Sequence, residues 1–524
     1  MSGDAAGRLH EAVARQDWAA AASVLSELCA LVKKQADRER LCARLDHRAL
    51  YASLACGEPK ARKNAARLLS AVGTAQDAPA LAAALAREGT RFVVPSLLLA
   101  LGAVGGEEAA AALRAYEPPQ PAAPEEEKHC AEIAAAHSRA LDRCCGEPPP
   151  ALHALLAPRP ALLRHPAGLQ AALLDELQAL GVAAQGTPDG VCVRASSLDA
   201  LYRARCFFEV LLPCGTVEAE PRAIAQAARG GWTALCAPMP GEPAAPSLPY
   251  RVELQGYAGD RVAMIRAVAT AVGGRNLPGH YAFELRVRCH AGAADVSVIP
   301  TAVQDTRFAY RRAALPAAIH PVTAAALART AAMRLRPRRR LRVYDPCCGG
   351  GTLLVEAAQA ADCAALLGTD VAPAAVTLAR ETLRAAGCRG AILQRDCLRF
   401  SPGEPLDLIL SNLPFGNRVG SHASNGPLYR GLCARLPALL REDGLALLYT
   451  MEGRLLESAL HGVAGLVVED VLTTEAGGLY PRAFRRQRQM CIRDRPVSAR
   501  FPPAPPPVAG CARQRVFHDG ATDE

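Results

Sequence analysis

The sequence predicts an α/β protein, with a doubly wound sheet in its C-terminal half, an α+β module before it and an α-solenoid at the N-terminus. Three observations predict this. Apolar strand-like runs alternate with helical runs from 342 to 472, the order that a parallel sheet with helices on both faces requires. "RVYDPCCGGGTLLVEAA" (342–358) passes from a strand through a glycine turn into a helix. Residues 1–117 carry no strand pattern but repeat themselves at a spacing of 32.

Composition bounds the rest. A chain of 524 residues has room for about three domains. Half of its residues are apolar but only 4% are aromatic, which points to helix-rich packing through small side chains. The 19 cysteines include no CxxC pair and no Cys/His cluster at zinc-finger spacing. They read as reduced thiols in a cytoplasmic protein that holds no metal. The N-terminus lacks the apolar core of a signal peptide, and no run reaches the roughly 18 apolar residues of a membrane span. A net charge of +9 permits a nucleic-acid partner without requiring one.

In the N-terminal repeat, "KNAARLLSAVG" (63–73) aligns with "PSLLLALGAVG" (95–105), and Leu81 aligns with Leu113. Each unit reads as two short helices around a glycine turn, the grammar of a solenoid whose neighbours bury each other's apolar faces. The stretch resembles HEAT repeats and offers a surface for a protein partner. "EPPQPAAPEEEKH" (117–129) opens a linker that contains a helix and runs over 118–160, with a second break at "CCGEPPPALHALLAPRP" (144–160). The middle module, 161–304, combines a helix at 167–181, closed by Gly181, with alternating strands at 190–195, 250–256 and 282–290. Its pattern alone names no activity.

The last half carries the chemistry. Gly349 to Gly351 follow a strand ending in Asp345, and Thr352 opens a helix. Such a turn lets a ligand approach the backbone closely and offers it free N–H groups. A dinucleotide fingerprint fails, because Leu354 stands where the third small residue belongs, and a P-loop fails for want of lysine. Asp345, four residues before the first glycine, would repel a pyrophosphate. It suits an ammonium group such as the one on S-adenosyl-L-methionine. A second strand ends in Asp370, placed for ribose hydroxyls. A third ends in Asp396, placed for an adenine amino group. Further strands follow at 405–412, 445–450 and 466–472.

"DPCCGGGTLLVEAA" resembles the DPFCGSGTILIEAA motif of Class I RNA methyltransferases that carry a THUMP domain, and "SNLPFG" (411–416) resembles their N/D-P-P-Y/F or D-L-P-F-G motif. "DTRFAYRRAALPAAIHPVTAAALA" (305–328) resembles the segment that leads into their catalytic domain. The likeness is close over about 305–485, loose over the middle module and absent from the solenoid. It implies a Rossmann-like Class I methyltransferase fold over 305–489 and a THUMP-like RNA-binding domain over 161–304. It also implies a cofactor site made by Asp345, Cys347, Gly349, Gly351, Thr352, Asp370, Val371, Asp396, Cys397 and Asn412. By the same resemblance the Asn412 side-chain carbonyl and the backbone around Leu413 and Pro414 orient a base's exocyclic amino group, while Phe415 stacks on the base. Leu413 stands where the family more often has proline.

The implied activity is methylation of guanine N2, with tRNA as the first candidate; ribosomal RNA guanine, adenine N6 and protein glutamine are the rivals within the class, and a THUMP-like architecture disfavours the last two. A non-catalytic RNA-binding or scaffold protein is the alternative outside it. "MRLRPRRRLR" (333–342) is a charge-rich loop or a phosphate contact, and His320 is at most lining of the cofactor pocket. "MCIRDR" (490–495) is what a transposon end used in sequencing libraries would encode. Residues 490–524 therefore read as a disordered or artefactual tail.

Overall fold

In a computed structural model, residues 2–32, 45–121, 126–146, 148–277, 279–313, 315, 318–415, 422–474 and 482–488 are described. The proposed tail lies outside them. The chain divides into one unit of residues 1–150, 238–253 and 273–284, and a second of 151–237, 254–272 and 285–524.

The first unit is built on short alanine- and leucine-rich helices. Pro59–Val72 and Ala78–Arg87 flank Gly73, and Val94–Val104 and Glu107–Ala115 flank Gly105 and Gly106. These are the two helix pairs that the 32-residue repeat predicts. Pro59–Val72 buries Ala61, Ala65, Ala66, Leu68, Leu69 and Val72, an apolar stripe at helical spacing. Starts are marked by proline and by carboxylate caps: Asp17 accepts from Ala20 N and Asp46 from Arg48 N. The helix expected inside a linker, Glu127–Cys145, instead packs Ile133, Ala136 and Ala140 into the same core.

Asp77 is the polar anchor of this unit. It is 1% exposed and accepts from Tyr51 Oη at 2.6 Å, His47 Nδ1 at 2.6 Å and Thr74 N at 2.7 Å. Burial pushes its carboxyl up, but the bonds from Tyr51, Thr74 and His47 outweigh burial and hold it below its ordinary value.

The second unit holds the C-terminal sheet and most of the middle module. The middle module's sheet has seven strands. Their spatial order is Ala184–Thr187, Gly190–Ser197, Ala154–Arg164, Glu209–Glu218, Ala293–Pro300, Phe283–His290 and Tyr250–Gln255. Only three of the seven were legible as strands. Residue 160, expected to precede the module, lies inside Ala154–Arg164, and the division between units falls at 150/151.

The C-terminal sheet also has seven strands, in the spatial order Ala391–Gln394, Cys363–Asp370, Leu341–Asp345, Leu406–Asn412, Leu440–Thr450, Arg482–Arg488, Leu466–Thr473. The first five are parallel. Arg482–Arg488 inserts antiparallel to both of its neighbours, which makes the sheet mixed. That strand was not expected, because "RAFRRQR" carries four arginines and no clean apolar alternation. The third strand stops at Gln394, so Asp396 lies beyond it and caps the short helix Cys397–Arg399. Leu406–Asn412 is buried at every position before Asn412, as a central parallel strand must be.

Replacing Asp77 by Ala should leave Tyr51 and Thr74 N without their acceptor and destabilise the first unit by about 1–3 kcal/mol. Hydrogen exchange over 47–85 in urea would measure this. The wild type's advantage should shrink as pH falls through the depressed Asp77 value.

Candidate active site

Parallel register brings the site together. Asp345 pairs with Gly368, so Asp370 stands two residues further along the same edge. Tyr344 pairs with Ile409, which sets Asn412 two residues beyond the level of Asp345. The carboxyl ends of parallel strands are where such sheets hold ligands.

Asp345 is the centre of the edge. Its side chain is 1% exposed. It accepts from Ser411 Oγ at 2.6 Å and from Cys347 N at 3.1 Å. Burial, with a smaller contribution from Asp370, pushes its pKa to about 7. A buried carboxylate in this state favours a cationic ligand that would restore its charge.

The turn after Asp345 is held from below. Thr369 Oγ1 donates to Pro346 O at 2.9 Å and lies 2.7 Å from Tyr344 Oη. Gly351 caps the helix Thr352–Ala360 at φ +78°, and a Cβ there would come within 2.9 Å of Leu383. Only glycine satisfies both the φ and the close approach. Gly349 N donates to Asp370 Oδ2 at 3.0 Å, and Ala372 N donates to Asp370 Oδ1 at 2.9 Å. Beside them Val371 is 69% exposed. Asp396 Oδ1 accepts from Leu398 N at 2.9 Å. The Cys347 and Cys397 sulfurs meet, and this contact, with burial, pushes the Cys347 thiol well above its ordinary range. Cys347 therefore stays protonated and is a poor nucleophile.

Asn412 ends its strand, and Leu413 N still donates to Tyr449 O at 2.9 Å. The unexpected Leu413 is a buried anchor: its side chain is fully enclosed in the core with Tyr429, Leu432 and Leu436. Tyr429 Oη donates to Pro414 O at 2.8 Å and lies 2.6 Å from Thr450 Oγ1. Thr450 Oγ1 accepts from Glu452 N at 3.0 Å, and Asn425 Nδ2 donates to Glu452 at 2.7 Å. The turn is thus braced from behind. Phe415 is half-buried, and the glycine that follows lies outside the described residues.

Ser411, Tyr429 and Thr450 were missed by motif reading. Ser411 was findable, as the lone small hydroxyl in an apolar strand beside Asn412. Three arginines of the charged run make ion pairs: Arg336 pairs with Asp175, Arg338 approaches Asp407 and Asp443, and Arg342 pairs with Glu404. His320 caps the helix Pro321–Leu335, accepting from Val322 N. Among the described residues no helix is long and apolar enough to cross a membrane, and no group of His, Cys, Asp and Glu is placed to hold a metal ion.

Residues 309–469 match the family model described as UPF0020: RMKL-like, methyltransferase domain. The match and the strand order together give this part of the chain a Class I methyltransferase-like α/β fold. The chain is 33% identical over 178 residues to a tRNA (guanine(6)-N2)-methyltransferase of Thermus thermophilus, covering 33% of this chain and 51% of the relative. It is 40% identical over 79 residues to the U6 snRNA (guanine-N(2))-methyltransferase THUMPD2 of Bos taurus, covering 14% and 16%. It therefore spans about half the length of the first relative and less of the second. Among solved structures, TrmN from Thermus thermophilus is 27% identical, with a TM-score of 0.49 over 63% of this chain and 99% of that one.

Asp345 also gives a pH signature. Its folded value of about 7 exceeds the ordinary carboxyl value of 3.8, so folding retains a proton that the unfolded chain releases. The resulting stability is fully present below the unfolded value and is lost as pH rises through 7. In thermal melts of the ligand-free protein from about pH 5 to pH 9, wild type should lose more stability than Asp345→Asn. Parallel profiles would show that the carboxyl is not the buried group described.

Proposed function

We propose that this protein is an S-adenosylmethionine-dependent methyltransferase acting on an exocyclic amino group of an RNA base, with guanine N2 in tRNA as first choice. The observation that carries the reading is the Ser411–Asp345 hydrogen bond of 2.6 Å. It joins the motif read as amine-orienting to a buried carboxylate suited to the cofactor's ammonium group. The methyltransferase family match supports it, as do relatives named for guanine-N2 methylation.

In this reading Asp345 takes the ammonium group and Asp370 the ribose hydroxyls. Gly349, Gly351, Thr352, Cys347 and Cys397 form the floor, with Val371 and Asp396 beside the adenine. Bound there, S-adenosylmethionine supplies an electrophilic methyl group. The Asn412 side-chain carbonyl and the backbone around Leu413 and Pro414, where Tyr429 braces Pro414 O, accept the amino hydrogens of the base. That geometry holds the nitrogen lone pair toward the cofactor, and Phe415 stacks on the base. Catalysis is positioning in a desolvated site. The middle module is a THUMP-like RNA-binding domain, the helical array a HEAT-like protein-binding surface, and the cytoplasm the compartment.

The test is to incubate the full chain with methyl-labelled S-adenosylmethionine and pooled, unmodified tRNA and U6 snRNA transcripts, then identify the labelled nucleoside. N2-methylguanosine is expected. Label only in N6-methyladenosine, or none, would contradict the proposal.

Three substitutions should separate the roles. Asn412→Ala should lower kcat about a hundredfold, or about 3 kcal/mol, with cofactor affinity kept. Phe415→Ala should mainly raise KM, through about 1–3 kcal/mol of lost stacking. Asp370→Ala should weaken cofactor binding by about 1.5–3 kcal/mol in calorimetry.

A further inference from the structure

One buried charge cluster plays no part in the site above. Glu356 lies on the helix Thr352–Ala360, four residues past Thr352 and so about one turn along it. Its side chain is completely buried. Arg205 Nε and Nη2 reach its two oxygens at 2.8 and 2.7 Å, and Tyr310 Oη donates to it at 2.6 Å. Arg205 belongs to the middle module, in the segment that leads into the strand Glu209–Glu218. The contact therefore ties that module to the helix that begins at the glycine turn.

The Arg205 segment is fixed from its other side. Glu176 accepts from Arg205 N at 2.8 Å and Cys206 N at 2.9 Å. Arg307 donates to Ala204 O at 3.1 Å and Phe207 O at 2.9 Å. The neighbouring Asp175 takes Arg329 at 2.5 Å and Arg336 at 2.5 and 2.8 Å.

A buried ion pair adds little net stability, because desolvation offsets its Coulomb gain and apolar side chains could fill the space as well. A bidentate Arg–carboxylate pair does fix relative orientation, through two parallel bonds in one plane. The helix so fixed shares its first turn with the cofactor floor.

We propose that Glu356, clasped by Arg205 and Tyr310, is a positioning residue that holds the middle module at a set span and angle from the methyl-transfer edge. RNA gripped by the module then presents one nucleotide to Asn412. The role rests on the RNA-methyltransferase reading and adds to it the source of single-nucleotide selectivity.

The test is the triple variant Arg205→Met/Tyr310→Phe/Glu356→Leu, which removes all three polar partners together and so leaves no buried group unpaired. Substrate is the transcript that wild type labels, with RNA affinity from filter binding and S-adenosylmethionine affinity from calorimetry. Both affinities should stay within about twofold of wild type, while kcat falls about tenfold to a hundredfold. Label should also spread to guanines neighbouring the wild-type position. A clasp that served folding alone would lower the melting temperature and leave kcat and the labelled position unchanged, and that result would overturn the proposal. If the triple variant does not fold, Glu356→Gln carries the same readouts: a severalfold lower kcat with spreading supports the role, and unchanged values overturn it. Failure of wild type to label any RNA would instead overturn the functional reading, and this role with it.

Discussion

Asp345 is a carboxylate that the fold buries before it meets a counter-charge. Burying an anion is unfavourable unless it is protonated or paired. Here one hydroxyl, one backbone N–H and a raised pKa of about 7 make burial tolerable. The rest of the edge is arranged around that carboxylate. The central strand places it, the glycine turn shields it without a side chain, and Ser411 links it to the strand that ends in Asn412. A solvated acid at the same place would bind a cation more weakly, because water would screen it.

The parallel sheet makes this arrangement economical. Three adjacent strands end at one edge, so Asp370, Asp345 and Asn412 come together from positions far apart in the chain. Each is then locked from behind by groups that face the core: Thr369 and Tyr344 under the turn, Tyr429 and Thr450 under Pro414. The edge is thus braced by packed, hydrogen-bonded core groups, the support that the proposed catalysis by positioning needs.

Much of the edge was legible in sequence because its determinants are local. The glycines of 349–351, the acids ending two strands and the "NLPFG" kink each sit inside one short segment. The repeat in the first unit was legible for the same reason, since Val72-Gly73 and Val104-Gly105 restate one helix end. What was missed depends on distant partners. Asp396 read as a strand end, but the strand stops at Gln394 because the chain turns into Cys397–Arg399. Arg482–Arg488 is held by two strands beside it rather than by its own pattern. Arg336, Arg338 and Arg342 looked available for phosphates, yet Asp175, Asp407 and Glu404 from other segments engage them. The brace on the Pro414 carbonyl comes from Tyr429, fifteen residues on, which no local motif announces.

What Asp345 holds decides whether this edge is a cofactor site. A crystal structure of the full chain with S-adenosylhomocysteine, which keeps the amino-acid end of the cofactor, tests this most directly. The account predicts the ligand's amine nitrogen at hydrogen-bond distance from the Asp345 carboxylate, roughly 2.7–3.2 Å, with its ribose on Asp370. A ligand bound elsewhere, or bound at this edge with its amine turned away from Asp345, would contradict it.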